Sequence, residues 1–220
     1  MSPSGRHGNI NTIFASFDVE TDGNNPMKHS MRSIGVALFR EGGVTPFDTF
    51  YITLKPQTGS DVEKSCYNNF WRHHMGKWRD INDNPSEITH AMSKLSTWLA
   101  SYEASAVIWV SNPANFDWMF LKCYYEKYGP VDKFDIGFFC HDLGSLLRCY
   151  TLVHDIRDRR GFSQSLAQGF QYTHNALDDA VYQGVIYMNL RRLINEKRLL
   201  NRCAGKQPST MVDTVETNTG

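Results

Sequence analysis

Three extended stretches fill the first quarter of this chain before any helical spacing appears. Thr12 to Val19 carries Ile13, Phe14, Phe17 and Val19, and Ser33 to Phe39 carries Ile34, Val36, Leu38 and Phe39. Phe47 to Leu54 sets Phe47, Phe50, Ile52 and Leu54 among polar partners, the pattern of a half-buried strand. Gly42-Gly43 lies between the second and third stretches, so these two should pair as a hairpin.

The period then changes. Ile88, Met92, Leu95 and Leu99 recur every three or four residues, which predicts a helix starting near Pro85-Ser86-Glu87. Val107 to Val110 reads as a short apolar strand, Trp118 to Tyr128 as a helix ending at Gly129-Pro130, and Phe134 to Phe139 as a fifth strand. Asp142 is placed to cap a helix over Leu143 to Tyr150. The last long element spans Asn175 to about Asn195, with Asn175 and Asp178 as a capping pair. Its expected buried face is Ala176, Ala180, Val181, Val185, Met188 and Leu193. Antiparallel strands followed by strand–helix alternation predict a mixed five-stranded α/β sheet with helices on both faces.

With 220 residues, 41% of them hydrophobic, the chain suits one domain, read as residues 11–200. Polar residues 1–10 and 204–220 read as disordered tails. Lys and Arg (23) balance Asp and Glu (23), which argues against bulk, non-specific nucleic-acid binding but leaves room for a local basic rim. Five cysteines, an odd number without a CxxC pair, indicate neither a disulfide framework nor a zinc cluster and suit a reducing compartment. The apolar run Ala106 to Val110 is far below the ~20 residues a membrane span needs. A soluble, intracellular, cytoplasmic protein without a membrane partner is expected.

The acids carry the functional signal. The first strand ends Phe17-Asp18-Val19-Glu20-Thr21-Asp22-Gly23, and side chains two apart on a strand share a face. Asp18 and Glu20 therefore sit close enough to repel unless a cation lies between them, and an all-oxygen ligand set suits Mg2+ or Mn2+. Asn115-Phe116-Asp117 follows the buried Val107 to Val110 strand, at the sheet edge where open α/β proteins bind ligands. His174-Asn175-Ala176-Leu177-Asp178-Asp179 opens the last helix. Asp178, the expected capping partner, points away from Asp179 because helical neighbours lie about 100° apart. Alone, each piece also fits a plainer role: a solvated strand end, a helix cap, a loop histidine.

In this order and in these contexts, the three pieces resemble the exonuclease motifs of the DEDDh (DnaQ-like) 3′–5′ exonuclease superfamily, closest to its ribonuclease T-like and oligoribonuclease-like branch. The resemblance covers about Thr12 to Asn195 and implies the ribonuclease H-like fold. Members often carry a His-Asn pair shortly before the second-motif Asp; here the stretch is Ser111-Asn112-Pro113-Ala114-Asn115.

The resemblance implies a two-metal 3′–5′ exonuclease, with two Mg2+ or Mn2+ ions on Asp18, Glu20, Asp117 and Asp179 and with His174 as general base. It implies single-stranded DNA or RNA, or 3′ overhangs, as substrate and nucleoside 5′-monophosphates as product. The branch includes homodimers, so the resemblance admits a dimer. Thr21, Gly23 and Asn115 are candidates for contact with the terminal nucleotide, and Trp71, in the Phe70-Trp71 and Trp78 cluster, for base stacking. Arg72, Lys77 and Arg79, and the basic loop Arg157, Arg159 and Arg160, offer phosphate contacts. Two other readings stand beside this one: a catalytically weak nucleic-acid-binding module of the same fold, and a hydrolase of free nucleotides or small phosphodiesters.

Overall fold

The computed structural model describes residues 12–102 and 106–204, with side chains to residue 199. The strands are β1 (Thr12–Thr21), β2 (Met31–Arg40), β3 (Asp48–Thr53), β4 (Ala106–Ser111) and β5 (Cys140–Asp142). The helices are α1 (Lys64–Asn69), α2 (Met75–Asn82), α3 (Ile88–Ala100), α4 (Ala114–Tyr128), α5 (Leu143–Val153), α6 (Arg159–Leu166) and α7 (Ala176–Ala204). The expected tails fall outside the described residues except for Ala204, the last residue of α7.

The sheet order is β3-β2-β1-β4-β5. β1 pairs antiparallel with β2 and parallel with β4, and β2 pairs antiparallel with β3, so the sheet is mixed as expected. Alternation along β1 sorts its side chains between two cores. Ile13, Ala15, Phe17 and Val19 join a cluster with Met92, Leu95, Phe120 and Tyr124 from α3 and α4. Phe14 joins the opposite cluster with Leu143, Leu166, Val185 and Met188 from α5, α6 and α7. Asp18 and Glu20 share the parity of Phe14 and so face α7.

The fifth strand lies later than predicted. Residues 134–139 are irregular, and only Cys140–Asp142 pairs with β4. Side chains, rather than a ladder, satisfy this backbone: Phe134 N donates to Ser96 Oγ (2.9 Å), Phe134 O accepts from Tyr125 OH (2.9 Å), and Gly137 N donates to Asp135 Oδ1 (2.8 Å). Gly137 sits at φ 72°, which a strand does not adopt. Phe138 and Phe139 stand exposed.

Other boundaries also differ. α4 begins four residues before Trp118, so Asp117 lies in its first turn. Of the expected basic loop, Arg157 stays outside a helix, whereas Arg159 and Arg160 open α6, which Asp158 caps by accepting from Gly161 N at Oδ1 (2.9 Å). Asp142 caps α5 as expected, accepting from Ser145 N (2.7 Å). Among the described residues no helix is long and apolar enough to cross a membrane.

Candidate active site

Four acids meet where the C-terminal ends of β1 and β4 approach the start of α7. Asp18, Glu20, Asp117 and Asp179 are all buried, Asp179 completely. The parallel pairing of β1 with β4 carries Asp117, just beyond β4, to the Asp18 end of β1. The backbone N–H groups of Val19 and Asn112 lie near enough to Asp117 to lower its carboxyl pKa. α7 brings Asp179 against the same sheet face. It can come this close because β2 presents Gly35 there: a Cβ at Gly35 would run into the Ala176 and Leu177 backbone.

The start of α7 is fixed by its own side chains. Asn175 Oδ1 accepts from Leu177 N (3.0 Å) and Asp178 N (3.3 Å), so Asn175 caps the helix as expected. Asp178 does not return the bond to Asn175; its Oδ2 accepts from Thr173 Oγ1 (2.8 Å). Asp179 accepts the backbone N–H groups of Thr173 (2.7 Å) and His174 (3.0 Å), one on each carboxylate oxygen. His174 itself lies at φ 59°, a left-handed conformation that is costly for a side chain of its size.

Burial and mutual repulsion leave these acids unwilling to ionise. Burial, with Asp179 and Asp117 nearby, pushes Glu20 up to about 8. Burial holds Asp117 near 7 although the nearby Ser111 hydroxyl and the Asn112 and Val19 amides lower it, and Asp179 near 6 against its two backbone donors. Asp18 is raised well above the carboxylate range by burial and then by Asp117, Glu20 and Asp179, although Gln183 Nε2 donates to its Oδ1 (2.8 Å). His174 is lowered by burial and by the neighbouring His74 and Lys77.

The donor set fits a hard divalent cation. One ligand atom each from Glu20, His174 and Asp179 lies within 4.8 Å of the others. Asp117 Oδ2 is buried without a hydrogen-bond partner among the described residues. A buried anionic oxygen with no donor is costly, and a cation relieves both this and the repulsion between the acids.

The other expected contacts fare differently. Trp71 is 0% exposed, so neither face of its ring is available to a base. Its Nε1 donates to the Thr21 carbonyl (2.9 Å) and its ring packs on Phe70 and Trp78. Trp71 is thus a strut beneath the end of β1. The half-buried ring beside the histidine is Phe70, with its centroid 4.9 Å from that of His174. Thr21 spends its hydroxyl on Gly23 O (2.8 Å). The bareness of Gly23 accommodates His29, whose ring a Cβ there would strike. Asn115 is exposed, two residues before Asp117 on α4, which turns it about 200° from that acid.

Three neighbours escaped the sequence reading, and a fourth, Lys77, was read only as a phosphate contact. Gln183 could have been found, because it lies one turn beyond Asp179 on the same face of α7. His74, whose ring centroid lies 4.6 Å from that of His174, Lys77, and Tyr172, 4.9 Å from His174, gave no comparable signal. His74 and Lys77 reach the site through tertiary packing from residues a hundred positions away.

The family model for the 3′–5′ exoribonuclease Rv2179c-like domain matches residues 14–190. The chain is 28% identical over 204 residues to the 3′–5′ DNA exonuclease Cap18 of Escherichia coli, covering 85% of this chain and 96% of that protein. It superposes on the nuclease domain of 3′hExo, a DEDDh family member bound to rAMP, with a TM-score of 0.52 at 16% identity, over 84% of this chain and 92% of that one. It also superposes on the zinc-bound E. coli ExoI–ssDNA complex, with a TM-score of 0.62 at 13% identity, over 89% of this chain. It spans 43% of that exonuclease I chain. The shared fold is ribonuclease H-like, and the chain belongs to the Rv2179c-like 3′–5′ exoribonuclease domain family, within the DEDDh 3′–5′ exonuclease superfamily.

Proposed function

We propose that this protein removes nucleotides one at a time from the 3′ ends of single-stranded nucleic acid or 3′ overhangs, releasing nucleoside 5′-monophosphates. The observation that supports this most is the cluster of four buried carboxylates, one with an unpartnered oxygen, beside a histidine held in a strained backbone conformation. Asp18, Glu20, Asp117 and Asp179 would hold two Mg2+ or Mn2+ ions. Bound there, the ions supply neutralising charge to the phosphodiester and to the leaving 3′ oxygen.

The remaining work belongs to the side chains. Gln183 fixes Asp18 through Oδ1, and the two amides at residues 173 and 174 fix Asp179. His174, kept neutral near pH 7 by burial and by His74 and Lys77, accepts a proton from the attacking water at a ring nitrogen. Phe70, not Trp71, offers the terminal base a ring edge or face beside that histidine.

The family is described as exoribonucleases, whereas Cap18 is a DNA exonuclease. The test therefore uses both polymers: 5′-labelled single-stranded DNA and RNA, duplexes with 3′ overhangs, dinucleotides and free nucleotides, each with Mn2+ and with an Asp18→Ala control. A ladder shortening from the 3′ end, lost in Asp18→Ala, is expected, and His174→Ala should lower kcat about 10²–10⁴-fold. Turnover of free nucleotides alone would replace this reading with the small-phosphate one. Binding without cleavage would replace it with the binding-module one.

A further inference from the structure

A cavity of about 520 Å3 lies between α6 and the start of α7, walled by Arg160, Ser163, Gln164, Phe170, Tyr172 and Tyr182. Its size falls in the range of about 300–1,000 Å3 typical of small-ligand pockets. Tyr172 is a wall shared with the candidate active site. Its ring centroid lies 4.9 Å from that of His174 on one side and 6.1 Å from that of Tyr182 on the other. Its hydroxyl feels all four carboxylates.

Two features of the cavity are unlike the acid cluster next to it. The lining residues include Arg160 and no carboxylate, and Arg160 makes no ion pair among the described residues. Two large rings are also left in water: Phe170 is 45% exposed and Tyr172 50% exposed. An unpaired guanidinium, amide and hydroxyl groups, and exposed aromatic faces together match a phosphate with an attached base. They do not match a cation or a purely apolar ligand.

The shape indicates which nucleotide. A 3′–5′ exonuclease releases one nucleotide and retains a polymer, and the retained part must reach solvent. Arg160, Gln164, Phe170 and Tyr172 are all exposed, so this side of the site is open. The Phe70 and His74 side is half-buried. Given the exonuclease reading above, we infer that this cavity holds the retained strand at the nucleotide just 5′ of the scissile phosphodiester, with its base against Phe170 and Tyr172 and its phosphate at Arg160.

The test compares wild type with Arg160→Ala and Phe170→Ala in two assays. The first is fluorescence anisotropy with 5′-fluorescein DNA and RNA octamers in Ca2+. The second is hydrolysis, in Mn2+, of the same octamers and of thymidine 5′-(p-nitrophenyl phosphate), which offers a terminal nucleotide with no retained strand. Each variant should weaken octamer binding about tenfold and shrink the kcat/KM advantage of the octamer over the ester by the same factor. Unchanged octamer affinity in both variants overturns the assignment. So does a parallel loss on octamer and ester, which would indicate damage to the fold. If wild type hydrolyses neither substrate, the exonuclease reading fails, while the anisotropy assay still decides whether the cavity takes a strand.

Discussion

Asp179 has two tasks, and they are hard to separate. Its oxygens accept the amides of Thr173 and His174, and so hold His174 at a backbone conformation that costs about 1–3 kcal/mol if unsupported. It is also one of the four acids of the cluster. Asp179→Ala should therefore loosen the histidine as well as the metal site, and hydrogen exchange at the Thr173 and His174 amides should speed up in that variant but not in Glu20→Ala. Equal protection in both variants would show that the loop holds itself. At this scale the sequence was most informative where chemistry and local backbone coincide: Asp18 and Glu20 by strand parity, Asn175 as a cap. It misled where a residue's environment comes from elsewhere in the chain. Trp71 and Phe70 are adjacent aromatics, and nothing local says that Trp71 lies beneath Thr21 while Phe70 lies beside His174.

Among the elements, β1 and β2 were legible as apolar-rich runs buried on both faces between two helical layers, and β3 by its alternation of apolar and polar residues. The error at Phe134 to Phe139 arose because the run has strand composition, while the hydroxyls of Ser96 and Tyr125 take the backbone groups a ladder would need. The stretch containing α1 and α2 was not legible as helix: α1 buries no residue fully and α2 only Ile81, so no apolar stripe exists to be read. The placement of α7 on β2 was hidden for another reason, since it depends on an absent side chain. Gly35→Ala should push the Ala176–Leu177 turn off the sheet. Overpacking of this kind costs about 1–3 kcal/mol, or about 2–12 °C in Tm for a domain of this size. Because that turn carries Asp179, kcat/KM should fall by more than the unfolded fraction explains. Thermal denaturation and kinetics on the same preparation, below the Tm, would separate the two effects, and a loss of stability with full activity would contradict the proposed link.

For the molecule as a whole, the position of β1 between β2 and β4 decides most of the behaviour. Beyond the β2–β3 hairpin, strand order was not legible, because pairing partners distant in sequence leave no local mark. Its consequence is that Asp18 and Glu20 lie at the centre of the sheet rather than on an edge open to water. The metal-free fold therefore carries a load that depends on pH. Glu20 near 8, Asp117 near 7 and Asp179 near 6 all lie above the ordinary carboxylate values of about 4. Below pH ~4 the folded and unfolded chains both hold these protons, and nothing is lost. Between there and pH 8 the unfolded chain releases them while the folded chain keeps them or ionises at a cost, so stability falls as pH rises. In EDTA the Tm should accordingly drop from pH 5 to pH 8. Mn2+, which binds the ionised acids, should raise the Tm much more at pH 8 than at pH 5. Asp117→Asn removes one ionisable member and should raise the EDTA Tm at pH 8, with little change at pH 5, while reducing nuclease activity. Scanning calorimetry of wild type and variant at both pH values gives all of these quantities. A wild-type Tm in EDTA that is flat or rising from pH 5 to pH 8, together with an equal metal shift at both, would mean that the four acids are not the strained, cation-requiring cluster that their burial implies.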